Sequence, residues 1–283
     1  MGSGVAKVLT RNGVKVLTNL DNRSEASRRR AHEAGMVDAS LKEIYSTADW
    51  VLSILPPSDA FSLAEKFVKE STGGTRLAGA EAPVYVDCNA VNPATVKRVA
   101  ALFVDGPTKF VDAAIIGGPP TEGYNPTFYA SADEEALLDR FVGLSDLGLK
   151  VSTLKGEGTG IGDASALKMS YAGMTKGSTG LFATMILAAH RSSPATADAL
   201  LRELGESQPV FLKRITNAIP PMVPKAYRWV GEMEEIAGFV GNEEGQIYNG
   251  LAALYSRIEK SEKGNGEDVE VLAKFVAEAK KRQ

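Results

Sequence analysis

Cysteine and histidine are nearly missing from this chain. A single cysteine, Cys88, among 283 residues excludes an intrachain disulfide and a cysteine-rich zinc site. The two histidines, His32 and His190, leave little material for zinc hydrolysis or a histidine-based triad. His32 sits beside Arg28, Arg29 and Arg30 on a charged helical face. His190 ends a long helical stretch, where a cation suits the dipole. Both read as structural, and no metal site is expected. Charge of one sign is also lacking: Lys+Arg 32 against Asp+Glu 35 gives −3, which points neither to nucleic acid nor to an acidic tail. No apolar run approaches the ~20 residues of a membrane span; the longest, 181–189, suits a core helix. The N-terminus has no signal pattern. Met1-Gly2-Ser3 departs from the myristoylation pattern at Ala6, and Lys281-Arg282-Gln283 is no peroxisomal address. The expectation is a cytoplasmic protein that handles a small molecule, with no membrane or nucleic-acid partner.

What is present is ordinary for a globular protein: 44% apolar and 24% charged residues, at a length near two domains. The first half alternates. Strands are expected at 14–20, 50–55, 84–87, 109–115, 127–131 and 150–154. Helices are expected from Met1 until Gly13 ends the first, then at 24–34, at 58–70 with Ser58 as N-cap, at 93–103 behind Asn92 and Pro93, and at 133–146. Strand and helix in turn imply a parallel sheet with crossovers. The stretch 71–82, rich in Gly, Thr and Ala, is a polar insertion. The character changes at Gly156-Glu157-Gly158-Thr159-Gly160. Beyond it lie a long helix, 161–190, and further helices near 195–204, 209–217, 224–240, 243–260 and 267–282. The reading is an α/β domain over 1–157 and an all-helical domain over 158–283.

Short motifs need weighing. Ser165-Ala166-Leu167-Lys168 matches the S-x-x-K of serine β-lactamases, but the companion S-D-N and K-T-G are missing. Tyr171 and Lys176 are spaced one residue too far apart for the Tyr-x-x-x-Lys pair of short-chain dehydrogenases. At Asp21-Asn22-Arg23-Ser24 two readings stand level. One is a turn with an Asn cap. The other is the ribose end of a dinucleotide site, with Asp21 suited to a 2′-hydroxyl and Arg23 to a 2′-phosphate.

Five further segments run in order along the chain: Met1-Gly2, Leu55-Pro56-Pro57, Asp87-Cys88-Asn89-Ala90-Val91-Asn92-Pro93, Asp112-Ala113-Ala114-Ile115-Ile116-Gly117-Gly118, and Gly162-Asp163-Ala164-Ser165-Ala166-Leu167-Lys168. Together they resemble the β-hydroxyacid dehydrogenase superfamily, which includes 6-phosphogluconate and 3-hydroxyisobutyrate dehydrogenases. The segment Tyr227–Glu235 is similar to the C-terminal domain of a phosphogluconate-dehydrogenase-like branch. The resemblance implies a Rossmann-type domain, a long interdomain helix and an all-α domain that forms a homodimer. It implies NADP, with NAD the alternative, held by Gly2, Asn22, Arg23, Ser24, Leu55, Pro56 and Asn89. It implies a substrate site at Asn89, Gly117, Gly118, Tyr171 and Ala172, and Lys168 as the catalytic residue. Relatives carry Ser-Thr where Asn89-Ala90 stand, Ser at Ile116 and Asn at Ala172, so a bulkier or less polar substrate is expected.

Lys168 also has a case from its own neighbours. Lys168, Tyr171, Ala172, Thr175 and Lys176 share one helix face, mainly polar. Hydride transfer to a carbonyl leaves an alkoxide; a positioned ammonium can protonate it, and the neutral amine can take the proton back. The function expected is a hydroxyl–carbonyl oxidoreductase. The alternatives are an imine reductase or a non-catalytic protein that retains the fold. Met1-Gly2 aligns with the end of the family's glycine loop, so the first strand and two earlier glycines are expected upstream, with weak dinucleotide binding and marginal stability in their absence.

Overall fold

The computed structural model describes residues 1–72, 75–76 and 80–282, so much of the polar insertion at 71–82 lies outside the described residues. The chain divides into two units, Met1–Met169 and Ser170–Gln283. The first contains α1 (Gly2–Arg11), β1 (Leu17–Thr18), α2 (Glu25–Glu33), β2 (Val37–Asp38), α3 (Leu41–Thr47), β3 (Trp50–Ser53), α4 (Pro57–Thr72), β4 (Val84–Asp87), α5 (Pro93–Ala101), β5 (Phe110–Ile116), β6 (Thr127–Ser131), α6 (Glu135–Val142) and β7 (Lys150–Thr153). The long helix α7 (Asp163–Ser192) begins in it. Composition alone puts the boundary at 157. The structural division falls later, inside α7, because side chains and carbonyls of the sheet hold the first turns of that helix.

Parallel sheets buried on both faces read as continuous apolar runs, and β4, Val84–Asp87, is buried at every residue. Val84, Val86 and Cys88 face a layer containing Val5 and Leu9 of α1 and Leu137, Leu138 and Phe141 of α6. Tyr85 faces the opposite layer, with Ile44 and Tyr45 of α3, Ala60, Ala64 and Phe67 of α4, and Val96 and Val99 of α5. Phe67, Tyr85, Phe103 and Phe110 form an aromatic knot in that second layer.

The strands form two sheets, β1-β2 and β3-β4-β5-β6-β7. Among the described residues no ladder joins β1 to β3, yet both feed the same layers. Val16 joins Trp50 and Leu52 on one face, and Leu17 joins Val51 on the other. The expectation of an all-parallel sheet is corrected at one place: β6 runs antiparallel to β5. Parallel strands need a crossover, usually a helix, whereas the 117–126 connection has none and turns back through a Thr121–Tyr124 bridge.

Other boundaries shift for local reasons. The run at 14–20 shrinks to two paired residues, Leu17 and Thr18. The helix expected behind a Ser58 cap starts at Pro57 instead, and the Ser58 hydroxyl donates to Asp59 Oδ1. Asn92 caps α5 as expected, accepting from the Thr95 N–H at 2.9 Å with Pro93 at the start. The sequence pattern marks neither β2 nor α3 as an element, although Ser40 three residues before Glu43 is a capping-box spacing and does cap α3.

The second unit contains the rest of α7 with α8 (Pro194–Ser207), α9 (Pro209–Met222), α10 (Ala226–Val240), α11 (Gln246–Lys263) and α12 (Glu267–Lys280). Gly173, Gly177 and Gly180 let α11 approach closely: a Cβ there would stand 2.9 Å from Tyr248 Oη, 3.3 Å from the Tyr248 ring and 2.8 Å from Leu251. Lys176 pairs with the buried carboxylate of Glu232 and lies over the Trp229 ring. α9 runs through Pro220 and Pro221 instead of stopping near 217. Those prolines lie at its C-terminal end, just before a 3-10 turn at Val223–Lys225, so few ladder bonds are lost.

Candidate active site

Ligands in open α/β sheets bind beyond the carboxyl ends of the strands. Here that edge collects most of the expected residues. Leu55 and Pro56 follow β3, Asn89 follows β4, and Gly117-Gly118 follow β5. Gly2 starts α1 beside Ile54, where its added Cβ would stand 3.8 Å away. Lys168, in the second turn of α7, donates from Nζ to the Ile115 carbonyl near the end of β5 at 2.8 Å.

Beneath this edge runs a buried polar row. In-register pairing aligns Ser53 of β3 with Asp87 of β4, Asp87 with Asp112 of β5, and Asp112 with Ser131 of β6. All four are at most 2% exposed. Removal from water pushes the Asp87 carboxyl up to about 6; the Asn89 bonds oppose this, Asp112 adds to it, and Lys168 counteracts it. Burial likewise raises Asp112, against hydrogen bonds from Ser165, Gly162 and Ser131.

Asn89 turns out to be a clamp. Its backbone N–H donates to Asp87 Oδ1, and its Nδ2 donates to Ser53 Oγ and Asp87 Oδ2. Its Oδ1 accepts from the Leu55 N–H at 2.6 Å. The side chain is 2% exposed, so what it offers a ligand is the position of the Leu55 loop. Gly117 has φ +129 and no room for a side chain, since a Cβ would fall 2.1 Å from Tyr124 Oη. That hydroxyl accepts from the Gly118 N–H at 3.2 Å. Tyr171 is exposed and Ala172 buried, both in the part of α7 that belongs to the second unit.

The turn at 21–24 is built differently. Asn22 takes a left-handed φ of 57, and Ser24 caps α2 by accepting from the Ser27 N–H. Arg23 is exposed and reaches Asp59 only at 4.0 Å. An open guanidinium beside a helix N-terminus suits a phosphate. α1 has neither a side-chain cap bond nor an acidic residue in its first turn, which suits a pyrophosphate. The donor chemistry at the start of α1 and at Arg23 therefore fits a dinucleotide. Sequence reasoning did not assign Asp87, Asp112, Ser53, Ser131 or Ser165; the available signal was an Asp embedded in each of two apolar strand runs.

Comparison with known proteins agrees. Residues 1–151 match the family described as the NAD binding domain of 6-phosphogluconate dehydrogenase. Residues 192–258 match a domain family of unknown function. None of the curated proteins matches the chain. A solved conserved protein of unknown function, described as structurally similar to 3-hydroxyacid dehydrogenases, is 26% identical with a TM-score of 0.65, covering 91% of this chain and 93% of its own. Mycobacterium tuberculosis 3-hydroxyisobutyrate dehydrogenase, solved with L-serine, shares the fold at 17% identity, a TM-score of 0.58, and coverage of 91% of this chain and 89% of its own. A Myxococcus stipitatus imine reductase in complex with NADP+ does so at 19% identity, a TM-score of 0.53, and coverage of 98% and 96%. The first match spans more than half of the chain, and with the geometry above it establishes that the chain belongs to the 6-phosphogluconate dehydrogenase NAD-binding family, within the β-hydroxyacid dehydrogenase superfamily of NAD(P)-dependent oxidoreductases.

Proposed function

We propose that this protein moves hydride between NADP(H) and a hydroxyl or carbonyl carbon, with Lys168 as general acid and base. The observation that carries the reading is the 2.8 Å bond from Lys168 Nζ to the Ile115 carbonyl. It holds an ammonium at the carboxyl edge of the sheet, two residues from Gly117. A bound nicotinamide supplies or accepts the hydride. Lys168 delivers a proton to the oxygen that gains charge during reduction and removes it during oxidation. Arg23 supports NADP over NAD, because a guanidinium pairs with a 2′-phosphate in bidentate fashion. Ile116 and the inward-turned Asn89 leave few donors for a substrate carboxylate, which supports a less polar substrate.

That last observation also favours a second reading, reduction of an imine, where no carboxylate need be held. A panel of aldehydes, 2-oxoacids and cyclic imines, followed by NADPH consumption, separates the two. On the best substrate Lys168→Met is expected to keep its NADPH affinity and lose turnover by ~10²–10⁴. Turnover within a few-fold of the parent would make Lys168 a bystander.

A further inference from the structure

The first turn of a helix leaves N–H groups that a side chain just before the helix usually satisfies. α7 cannot use that solution. The residue before it is Gly162, with φ +114, and a Cβ there would meet Lys97 Cε at 2.9 Å. The caps come instead from the sheet. Asp112 Oδ2 accepts from the backbone N–H groups of Gly162 and Ser165, each at 3.0 Å, and from Ser131 Oγ at 3.3 Å. Asp112 Oδ1 accepts from Ser165 Oγ at 2.8 Å. Ser131 Oγ in turn accepts from the Ala164 N–H at 3.0 Å.

The spacing gives this grip a consequence. Ser165 and Lys168 are one turn apart on α7, a rise of about 4.5 Å. Asp112 and Ile115 are separated by the same count on β5, a rise of about 10 Å. The strand therefore touches the helix twice, by carboxylate at its first turn and by carbonyl at the lysine ammonium, and the extended lysine arm spans the difference. Asp112 also stands in register with Asp87, whose charge Lys168 feels. We propose that Asp112 is a positioning residue for Lys168: it sets the height and rotation of α7 on β5, and through them the place of Nζ. This rests on the reading of Lys168 given above only where turnover is measured; the placement itself can be tested without it.

The test uses the full chain with Asp112→Asn, and Ser165→Ala as the milder variant should the first fail to fold. Trace labelling with acetic anhydride, mapped by mass spectrometry, reports the placement of each amine directly. The Lys168 rate is expected to change by ~3-fold or more, since local charge and access set amine reactivity, while Lys7, Lys150 and Lys213 stay constant. An unchanged Lys168 rate in both variants overturns the proposal. Turnover on the best panel substrate supplies the second readout. Asp112→Asn is expected to lower kcat by ~10–100-fold, the scale of a misplaced catalytic group, with NADPH affinity unchanged. In a Lys168→Met background it should cost nothing further, because the two act as one unit. Equal losses in both backgrounds, with the Lys168 labelling rate unchanged, would assign Asp112 a purely structural role and overturn the proposal. A shifted labelling rate together with an active Lys168→Met enzyme would support the positioning and sink the catalytic reading alone.

Discussion

The two ends of the site differ in how they are held. At the lysine end Asp87, Asn89 and Asp112 are almost completely buried; Asp87 accepts from Asn89, Asn89 also reaches Ser53 and Leu55, and Asp112 accepts from Ser131 and the start of α7. At the turn after β1, proposed above to meet the ribose, Asn22, Arg23 and Ser24 are exposed, and the Arg23–Asp59 contact is a long pair between half-exposed groups. Buried polar networks are costly to disturb, while exposed ion pairs contribute little. The lysine end is therefore preorganised and tied to stability. The turn at 22–24 can be substituted without disturbing the fold.

The largest effect that would sharpen this contrast concerns Asp87. Its carboxyl is raised to about 6 by burial, above its value in the unfolded chain. Between roughly pH 4 and 6 the folded protein keeps a proton that the unfolded chain releases, so stability falls as pH rises through that window and levels off above it. The shift corresponds to about 3 kcal/mol. Asp112, shifted in the same direction, adds to the trend. Urea unfolding across pH 4–7 should show the slope in the parent and a flatter one in Asp87→Asn. Identical slopes would mean that the row does not titrate as described.

A smaller effect belongs to the other end. Arg23→Ala should weaken NADPH binding by about 1.5–3 kcal/mol, the scale of a charge-assisted hydrogen bond, and leave NADH binding and the unfolding midpoint nearly unchanged. Calorimetry with both cofactors decides it. Equal losses for NADPH and NADH would remove Arg23 from the 2′-phosphate and the contrast with it.

Much of this was legible beforehand, and what was missed has physical causes. The Asn92-Pro93 start of α5, the buried run of β4 and the long helix of Lys168 are local signals, and each stands where the pattern put it. β2 was hidden because its two residues, Val37 and Asp38, are both exposed and show no alternation. Ser58 looks like a cap in sequence, but the helix already starts at Pro57, whose fixed φ suits a first helical position, so Ser58 lies inside the first turn. The place of Lys168 near the start of α7 was readable from its motif. Its support was not: Asp87, Asp112 and Ser131 meet only through sheet register, and the bond from Asp112 to Ser165 spans 53 positions. The resemblance makes Asn89 a ligand contact; register and loop packing turn its amide donors inward.

The central claim is that the Lys168 amine moves the proton. Chemical rescue tests it most directly. Lys168→Ala removes the amine and leaves space for a small one, so its residual NADPH-dependent turnover should rise in proportion to added methylamine or ammonium, while the parent enzyme stays indifferent. A variant that is slow and cannot be rescued by any primary amine, or one that remains fast without it, would contradict the account.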